Sequence, residues 1–353
     1  MVKGWTNPKY FLLSAVCAAL AHLTRQDGVL LVPTLIIVVL FARLQVKTKV
    51  AYVFLGLGLY LVILSPLLVE NYKTFGSALP PGPSKTMFLT NYEDLYSYSR
   101  DLNLQTYLQW GIRNILSSKL HMALSNAKTL YGFFGELPGI FILLGLVDFL
   151  TTPDKRGKWS LYLPPALFIG FLFAFYSFVA TFPSSAGGFE RSSMAIIPFG
   201  VVIAVDAINH NITSRKIVAL LILLLSLLFL YQSVQSVRGT INGNINLGEQ
   251  LAAVKAVIKT DGGEQGQRDV VIMTRNPWEV YYSTGYKAIQ IPNEDINTIY
   301  GVAQKFGANY LLLPAPRKAL ENLYAGKDSN YRFEFLTGIP NSDLKVFRIK
   351  VDK

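Results

Sequence analysis

Cysteine is nearly missing from this chain of 353 residues. The one thiol, Cys17, sits in an apolar run, which excludes an internal disulfide and any cysteine-built metal site. Histidine is almost as scarce, and His22, His121 and His210 fall in separate segments, so no pair stands at metal-ligand spacing. There is neither a Walker loop nor a Gly-x-Gly-x-x-Gly run behind a strand, the phosphate-cradling signatures of soluble nucleotide enzymes. Charge is short as well. Only 16% of residues are charged against 51% hydrophobic and 13% aromatic, a balance unsuited to a fully water-exposed surface. An integral membrane protein follows. The net charge of +11 is carried unevenly, with 19 Lys/Arg against 10 Asp/Glu in residues 1–247 and 14 against 12 thereafter. Basic residues concentrated in the apolar part are those of loops flanking membrane helices, not of a nucleic-acid surface.

Seven apolar segments can be drawn, at about 11–23, 29–42, 51–69, 129–150, 160–181, 193–207 and 217–234. The first two are short and are joined by Thr24-Arg25-Gln26-Asp27-Gly28; as two crossings or as a re-entrant hairpin they return the chain to its starting side. No signal peptide with a small-residue cleavage site is evident before them, so insertion is expected to rely on the helices themselves. Four connections carry clustered positive charge: Lys3 with Lys9, Arg43 with Lys47 and Lys49, Lys155 with Arg156 and Lys158, and Arg215 with Lys216. The alternate turns hold Arg25 and Arg191 alone. The positive-inside rule therefore puts the clusters in the cytoplasm and turns the 24–28 turn, a loop over 70–128 and the C-terminal tail outward.

After Val237 glycines punctuate shorter segments, and apolar strands at 270–273, 288–291, 310–313, 333–336 and 344–349 interleave with helical stretches near 247–259 and 294–306. The expected architecture is a multi-pass helical membrane domain over 1–237, followed by a small extracytoplasmic α/β domain over 238–353 with a partly parallel sheet. Within the loop, apolar and aromatic residues from Leu102 to Tyr131 recur at helical spacing, fitting a helix in the membrane interface or one packed on the bundle.

Charges near the outer ends of spans are the groups that carry chemistry, since a charge at membrane depth needs a reason. Arg25 and Asp27 either pair within a tight turn or work together, Arg25 facing a phosphate through its bidentate guanidinium while Asp27 orients it or contacts a polar substrate. Glu190 and Arg191 pose the same question behind the small-residue turn 182–188. Glu70 and Asn71 close the third span, and Glu93 and Asp94 lie among tyrosines in the loop, where acids and ring faces suit sugar hydroxyls or simply face solvent. No divalent-metal ligand set is apparent and no cofactor is named by the sequence.

Three runs then resemble one family: Leu23-Thr24-Arg25-Gln26-Asp27-Gly28 between apolar segments, Ser65-Pro66-Leu67-Leu68-Val69-Glu70-Asn71-Tyr72-Lys73-Thr74-Phe75-Gly76-Ser77-Ala78-Leu79-Pro80 at a span exit, and Gly188-Phe189-Glu190-Arg191 before Ile197-Pro198. They are similar to the later membrane segments of prokaryotic glycosyltransferases of the C-type (GT-C) fold. The nearest group is family 39, which includes dolichyl-phosphate-mannose-protein mannosyltransferases and aminoarabinose transferases of lipid A. The resemblance implies a polyprenyl-phosphate sugar donor, an acceptor lipid, glycan or protein on the outer face of the cytoplasmic membrane, and transfer with inversion. It makes Arg25 and Arg191 the donor-phosphate residues, with Asp27, Glu190, Glu70 and Asn71 near the substrate, and leaves a divalent metal open.

Departures from the family accompany the likeness. The first helix and the acidic outer loop of such enzymes have no counterpart before Lys9, so the expected base is missing and Asp27, Glu93 or Asp94 would have to replace it. Glu70 stands where relatives tend to have arginine, and Ser192 where a tyrosine commonly follows the arginine. The expectation is thus a transferase or its C-terminal portion: a truncated gene product, one half of a split enzyme whose rest a partner polypeptide supplies, or a derivative that lost catalysis. The alternative is a non-catalytic membrane protein whose outer domain binds carbohydrate or a partner protein through a tail pocket and exposed Trp278, Tyr281 and Tyr282, although those rings at near-helical spacing fit a core equally well. A transporter would need paired charges at mid-membrane, and Asp148 and Asp206 sit near span ends instead.

Overall fold

The computed structural model describes residues 1–350 other than 6, 79–84, 98–99, 135–138, 141, 144, 146, 148–158, 186, 263–268, 315–316 and 328–331. Most of the second half of the expected 129–150 span, the 155–158 basic cluster, Asp148 and Gly263 lie outside the described residues. The chain divides into two compact units, one of residues 1–92 and 102–226 and one of residues 93–101 and 227–353.

The first unit is helical. Among the described residues four helices are long and apolar enough to cross a membrane, Val46–Phe75, Leu161–Val179, Gly188–Asn211 and Arg215–Thr260. This is fewer than the seven segments drawn from composition. The first two segments form shorter apolar helices, Lys9–Thr24 and Gln26–Phe41. At 1.5 Å per residue each reaches only about 24 Å, against a hydrocarbon layer of about 30 Å. Val46–Phe75 runs past the expected exit at residue 69, so Glu70 and Asn71 sit on its last turns rather than in a loop. It keeps Pro66 inside, where a bend is expected. Phe54, Leu61 and Val62 point outward from it, as lipid-facing side chains do.

The segment 102–131 is helical, and one face of it packs on the first unit. Helices Leu104–Gln109 and Ile112–Phe134 are joined at Trp110-Gly111, and the longer one buries Ile115, Met122 and Asn126 within the unit. Its other face shows Ile112, Leu116, Leu120 and Leu124, one above the next at four-residue spacing, uncovered. Asn126 is satisfied internally, its amide nitrogen donating to Ser177 Oγ at 3.0 Å and its oxygen accepting from Ser184 Oγ at 2.7 Å. A buried amide left unpaired would be costly, so this triad fixes the helix against the segment 177–184.

The second unit is a mixed sheet in the order β2-β1-β3-β5-β4. Its strands are β1 Val271–Thr274, β2 Lys287–Gln290, β3 Tyr310–Leu313, β4 Phe333–Gly338 and β5 Lys345–Ile349. The first three are parallel, and β5 and β4 close the sheet antiparallel. β1 and β3 are buried on both faces, as parallel strands under helices are. One face packs Met273, Leu311 and Phe347 beneath the Ile296–Phe306 helix through Ile299 and Ala303. The other packs Ile272, Leu312 and Val346 against Leu251, Val254 and Ile258 at the end of the long helix and against Val280 of Pro277–Thr284. Gly239, Gly243 and Gly248 do not interrupt Arg215–Thr260, contrary to the expected break after 237. Each glycine costs a helix about 1 kcal/mol, too little to end one that has no proline and is packed at its far end.

Candidate functional site

Arg25 and Asp27 are brought together by the turn that joins the two short helices. The Arg25 amide closes the first helix on Ala21 O at 2.9 Å, and Gly28 N–H returns to Arg25 O at 2.9 Å. Gly28 lies hard against the preceding helix: a Cβ there would stand 2.4 Å from the backbone nitrogen of His22. Only glycine permits that approach, so the turn is held rigidly where Arg25 and Asp27 project.

Asp27 is the hub. Arg25 donates to its Oδ2 from Nε at 3.1 Å and from Nη2 at 2.9 Å. Tyr176 OH donates to Oδ1 at 2.5 Å, and Ser192 Oγ donates to Oδ2. Arg25 Nη2 also reaches Ser192 Oγ at 3.0 Å. Asp27 is thereby nearly closed off, its side chain 13% exposed, whereas Arg25 remains 48% exposed with Nη1 donating to no described residue. Such a carboxylate orients a guanidinium and leaves one of its edges available for an oxyanion. Gly188 supplies the second close approach: a Cβ on it would come 2.8 Å from Tyr176 and 2.7 Å from Pro183 O. This lets the short helix Gly188–Ser193 lie against Tyr176 and deliver Ser192 to Asp27.

Arg191 precedes Ser192 on that helix and is exposed, as is Glu190. The structure joins Arg25 and Asp27 to the helix that carries Glu190 and Arg191 through Ser192, while no hydrogen bond or ion pair among the described residues links Glu190 or Arg191 to Arg25 or Asp27. Glu70 is exposed, and Asn71 donates to Ala78 O at 3.1 Å; neither touches the Asp27 cluster through a hydrogen bond or ion pair. Glu93 and Asp94 belong to the second unit. Glu93 bridges Arg275 and Arg317, the latter at 3.0 Å, while Asp94 is buried and takes Arg100 at 2.7 Å. Arg317 is itself buried; burial pushes its pKa down, Glu93 works against that, and Arg275 adds to the lowering. Glu93 ties its segment to the rest of the unit, with Tyr96 over the Arg317 guanidinium at 5.2 Å, while the Asp94–Arg100 pair lies within the segment.

Tyr176 and Ser192 were missed by sequence reasoning as partners of Asp27. They lie 149 and 165 residues along the chain, and no local pattern announces a contact at that separation. The aromatics Trp278, Tyr281 and Tyr282 are exposed and not core. Among the described residues no group of three His, Cys, Asp or Glu side chains is gathered as a metal would require. No protein-family model, curated protein or solved structure matches the chain.

Proposed function

We propose that the chain is a membrane glycosyltransferase, or the donor-holding portion of one, moving a sugar from a polyprenyl-phosphate to an acceptor at the outer face of the cytoplasmic membrane. The observation that carries this reading is the Arg25 guanidinium, gripped on one edge by Asp27 and open on the other, at the junction of two apolar helices. As the anomeric C–O bond breaks, negative charge collects on the departing phosphate, and preorganised donors there stabilise the transition state more than the ground state. Arg25 and the neighbouring Arg191 are those donors. Asp27 has both oxygens engaged, which makes it a positioning residue. The acceptor hydroxyl gives its proton to Glu190, exposed beside Arg191, or to a base on a partner polypeptide, as its oxygen forms the new bond to the anomeric carbon.

The test is transfer of label from radiolabelled polyprenyl-phosphate sugars in membranes, with the chain in its native membrane and after purification, with and without chelator. Label transfer lost in Arg25→Ala supports the reading, and chelator sensitivity would bring in the divalent metal. No transfer from any donor in native membranes would count against it. A second reading, a non-catalytic membrane protein whose α/β unit binds carbohydrate or a partner protein, is favoured by one observation, the exposure of Trp278, Tyr281 and Tyr282.

A further inference from the structure

We propose that the α/β unit binds an uncharged glycan chain in a groove between segment 95–97, the Pro277–Thr284 helix and the open edge of β2, stacking sugar rings on Trp278 and Tyr281. This site lies wholly in the second unit and stands whether or not the transferase reading does.

The groove encloses about 580 Å3 and is lined by Tyr96, Ser97, Trp278, Tyr281, Lys287 and Gln290 among others. Ligand sites commonly hold roughly 300–1,000 Å3, so a few sugar rings fit. Trp278 is 83% exposed and Tyr281 57%, and Tyr282, one turn beyond Trp278, is 92% exposed and extends the platform past the groove. The unit has two closed cores on either side of its sheet, and none of these three rings belongs to either. Phe306 and Phe335 are also exposed on this unit, but Trp278 and Tyr281 are the exposed rings that line a groove, and clustered large rings in such a place mark a binding surface.

The polar groups around those rings suit hydroxyls. Gln290 lines the groove, and its buried amide nitrogen has no acceptor among the described residues, a state that costs about 1–3 kcal/mol of lost hydrogen bonding. Ile291 N–H is given to Thr274 O in the pairing with β1, so the alternation of a strand turns the N–H and C=O of Ala288 and Gln290 to the sheet's open edge. Ser97 contributes a hydroxyl, donated at 3.2 Å to Asn293 O. Pyranose rings present apolar C–H faces to aromatic surfaces and a rim of hydroxyls to such groups.

Charge selects among ligands. Among the described residues of the lining Lys287 is the one charged side chain, and its ammonium stands 2.5 Å from Asp269. A groove with its one cation already paired offers nothing to a phosphate or an acidic peptide. Strand addition by a peptide is also disfavoured, because β2 is four residues long and begins with a lysine. The wall opposite the helix is prebuilt: Asn293 N–H donates to Tyr96 O at 3.0 Å, and Tyr96 rests on the buried Arg317. Little ordering is left for binding to supply.

The experiment is calorimetric titration of the full chain in phospholipid nanodiscs, prepared without glycoside detergents, with cellohexaose, maltohexaose and mannohexaose. Saturable binding of at least one is expected, weakened about tenfold or more by Trp278→Ala and by Tyr281→Ala, and largely kept by Trp278→Phe, which retains a ring. Thermal unfolding of each variant verifies that it is folded, as side chains this exposed should allow. No binding of any of the three sugars overturns the proposal, and so does binding indifferent to Trp278→Ala. Preference for a heparin hexasaccharide would overturn the neutrality argument, and Trp278-dependent binding of reduced, carboxymethylated casein in place of sugars would reassign the groove to polypeptide.

Discussion

At the scale of the residue, the difference between an orienting carboxylate and a base decides how Asp27 is tested. Arg25, Tyr176 and Ser192 all donate to Asp27, so both its oxygens are already engaged in holding neighbours. Asp27→Asn should lower transfer by tenfold or more, about 1.4 kcal/mol, by releasing the guanidinium. The acidic limb of the pH–rate profile should survive in that variant; its disappearance would make Asp27 the base. Arg25→Lys should lose a similar factor, because an ammonium cannot grip Asp27 with two nitrogens and keep a third for phosphate. The adjacency of Arg25 and Asp27 was legible in the sequence as a charged pair between apolar runs. Their environment was not, since Tyr176 and Ser192 reach them only through the close approaches that Gly28 and Gly188 permit. A second residue-scale expectation concerns Tyr310. Its hydroxyl donates to Asp261 at 2.9 Å, and burial first, then that bond, push its pKa up to about 12, with Arg348 opposing. The native state therefore holds a proton that the unfolded chain releases near pH 10. This contribution to stability is whole below pH 10 and fades as pH rises toward 12. Thermal unfolding between pH 9 and 12 should fall more steeply for the natural chain than for Tyr310→Phe.

At the scale of the element, glycine is the residue whose effect depends most on where it stands. Gly239 and Gly243 face open space on the long helix and can take alanine, with a gain of roughly 0.5–1 kcal/mol each. Gly28→Ala has the opposite sign, because the added carbon meets backbone rather than a movable side chain. It should cost about 1–3 kcal/mol and displace Arg25 together with Asp27, read as a lower unfolding temperature in detergent and lost transfer. The strands of the α/β unit were legible because alternating or continuous apolar runs between turn residues leave few other solutions, as at 310–313. The helix at 296–306 also announced itself, with Asp295 capping it through the amides of Asn297 and Thr298 at 2.9 and 3.2 Å. The helix Pro277–Thr284 did not, since eight residues give barely two turns of pattern and its aromatics face solvent. The long helix was misjudged because composition changes at 237 while hydrogen bonding does not.

At the scale of the whole molecule, one apolar run determines the side of the membrane on which the α/β unit works. If Lys3 and Lys9 are cytoplasmic, as the positive-inside rule expects, the short helical pair would return the chain to its origin and Val46–Phe75, long and apolar enough to cross, would carry it to the other side. If the run 129–150 also crosses, Leu161–Val179 leaves the cytoplasm again and Gly188–Asn211 returns to it. Arg215 and Lys216 are then cytoplasmic, and the last span delivers the α/β unit outside. Without that crossing every later side inverts, and the basic pair at 215–216 would face outward, against the distribution that basic loops follow. The two arrangements are separable by labelling. In a Cys17→Ser background, Tyr282→Cys should react with a membrane-impermeant maleimide in intact cells, Tyr282 being among the most exposed residues of its unit. Lys47→Cys should react only after permeabilisation. Labelling of both only after permeabilisation would bring the α/β unit and its groove to the cytoplasmic side, and with them the source of any glycan they bind. The Arg25 turn lies before the disputed run and would keep its side, so the same experiment tells whether the Arg25 cluster and the Trp278 groove share a compartment.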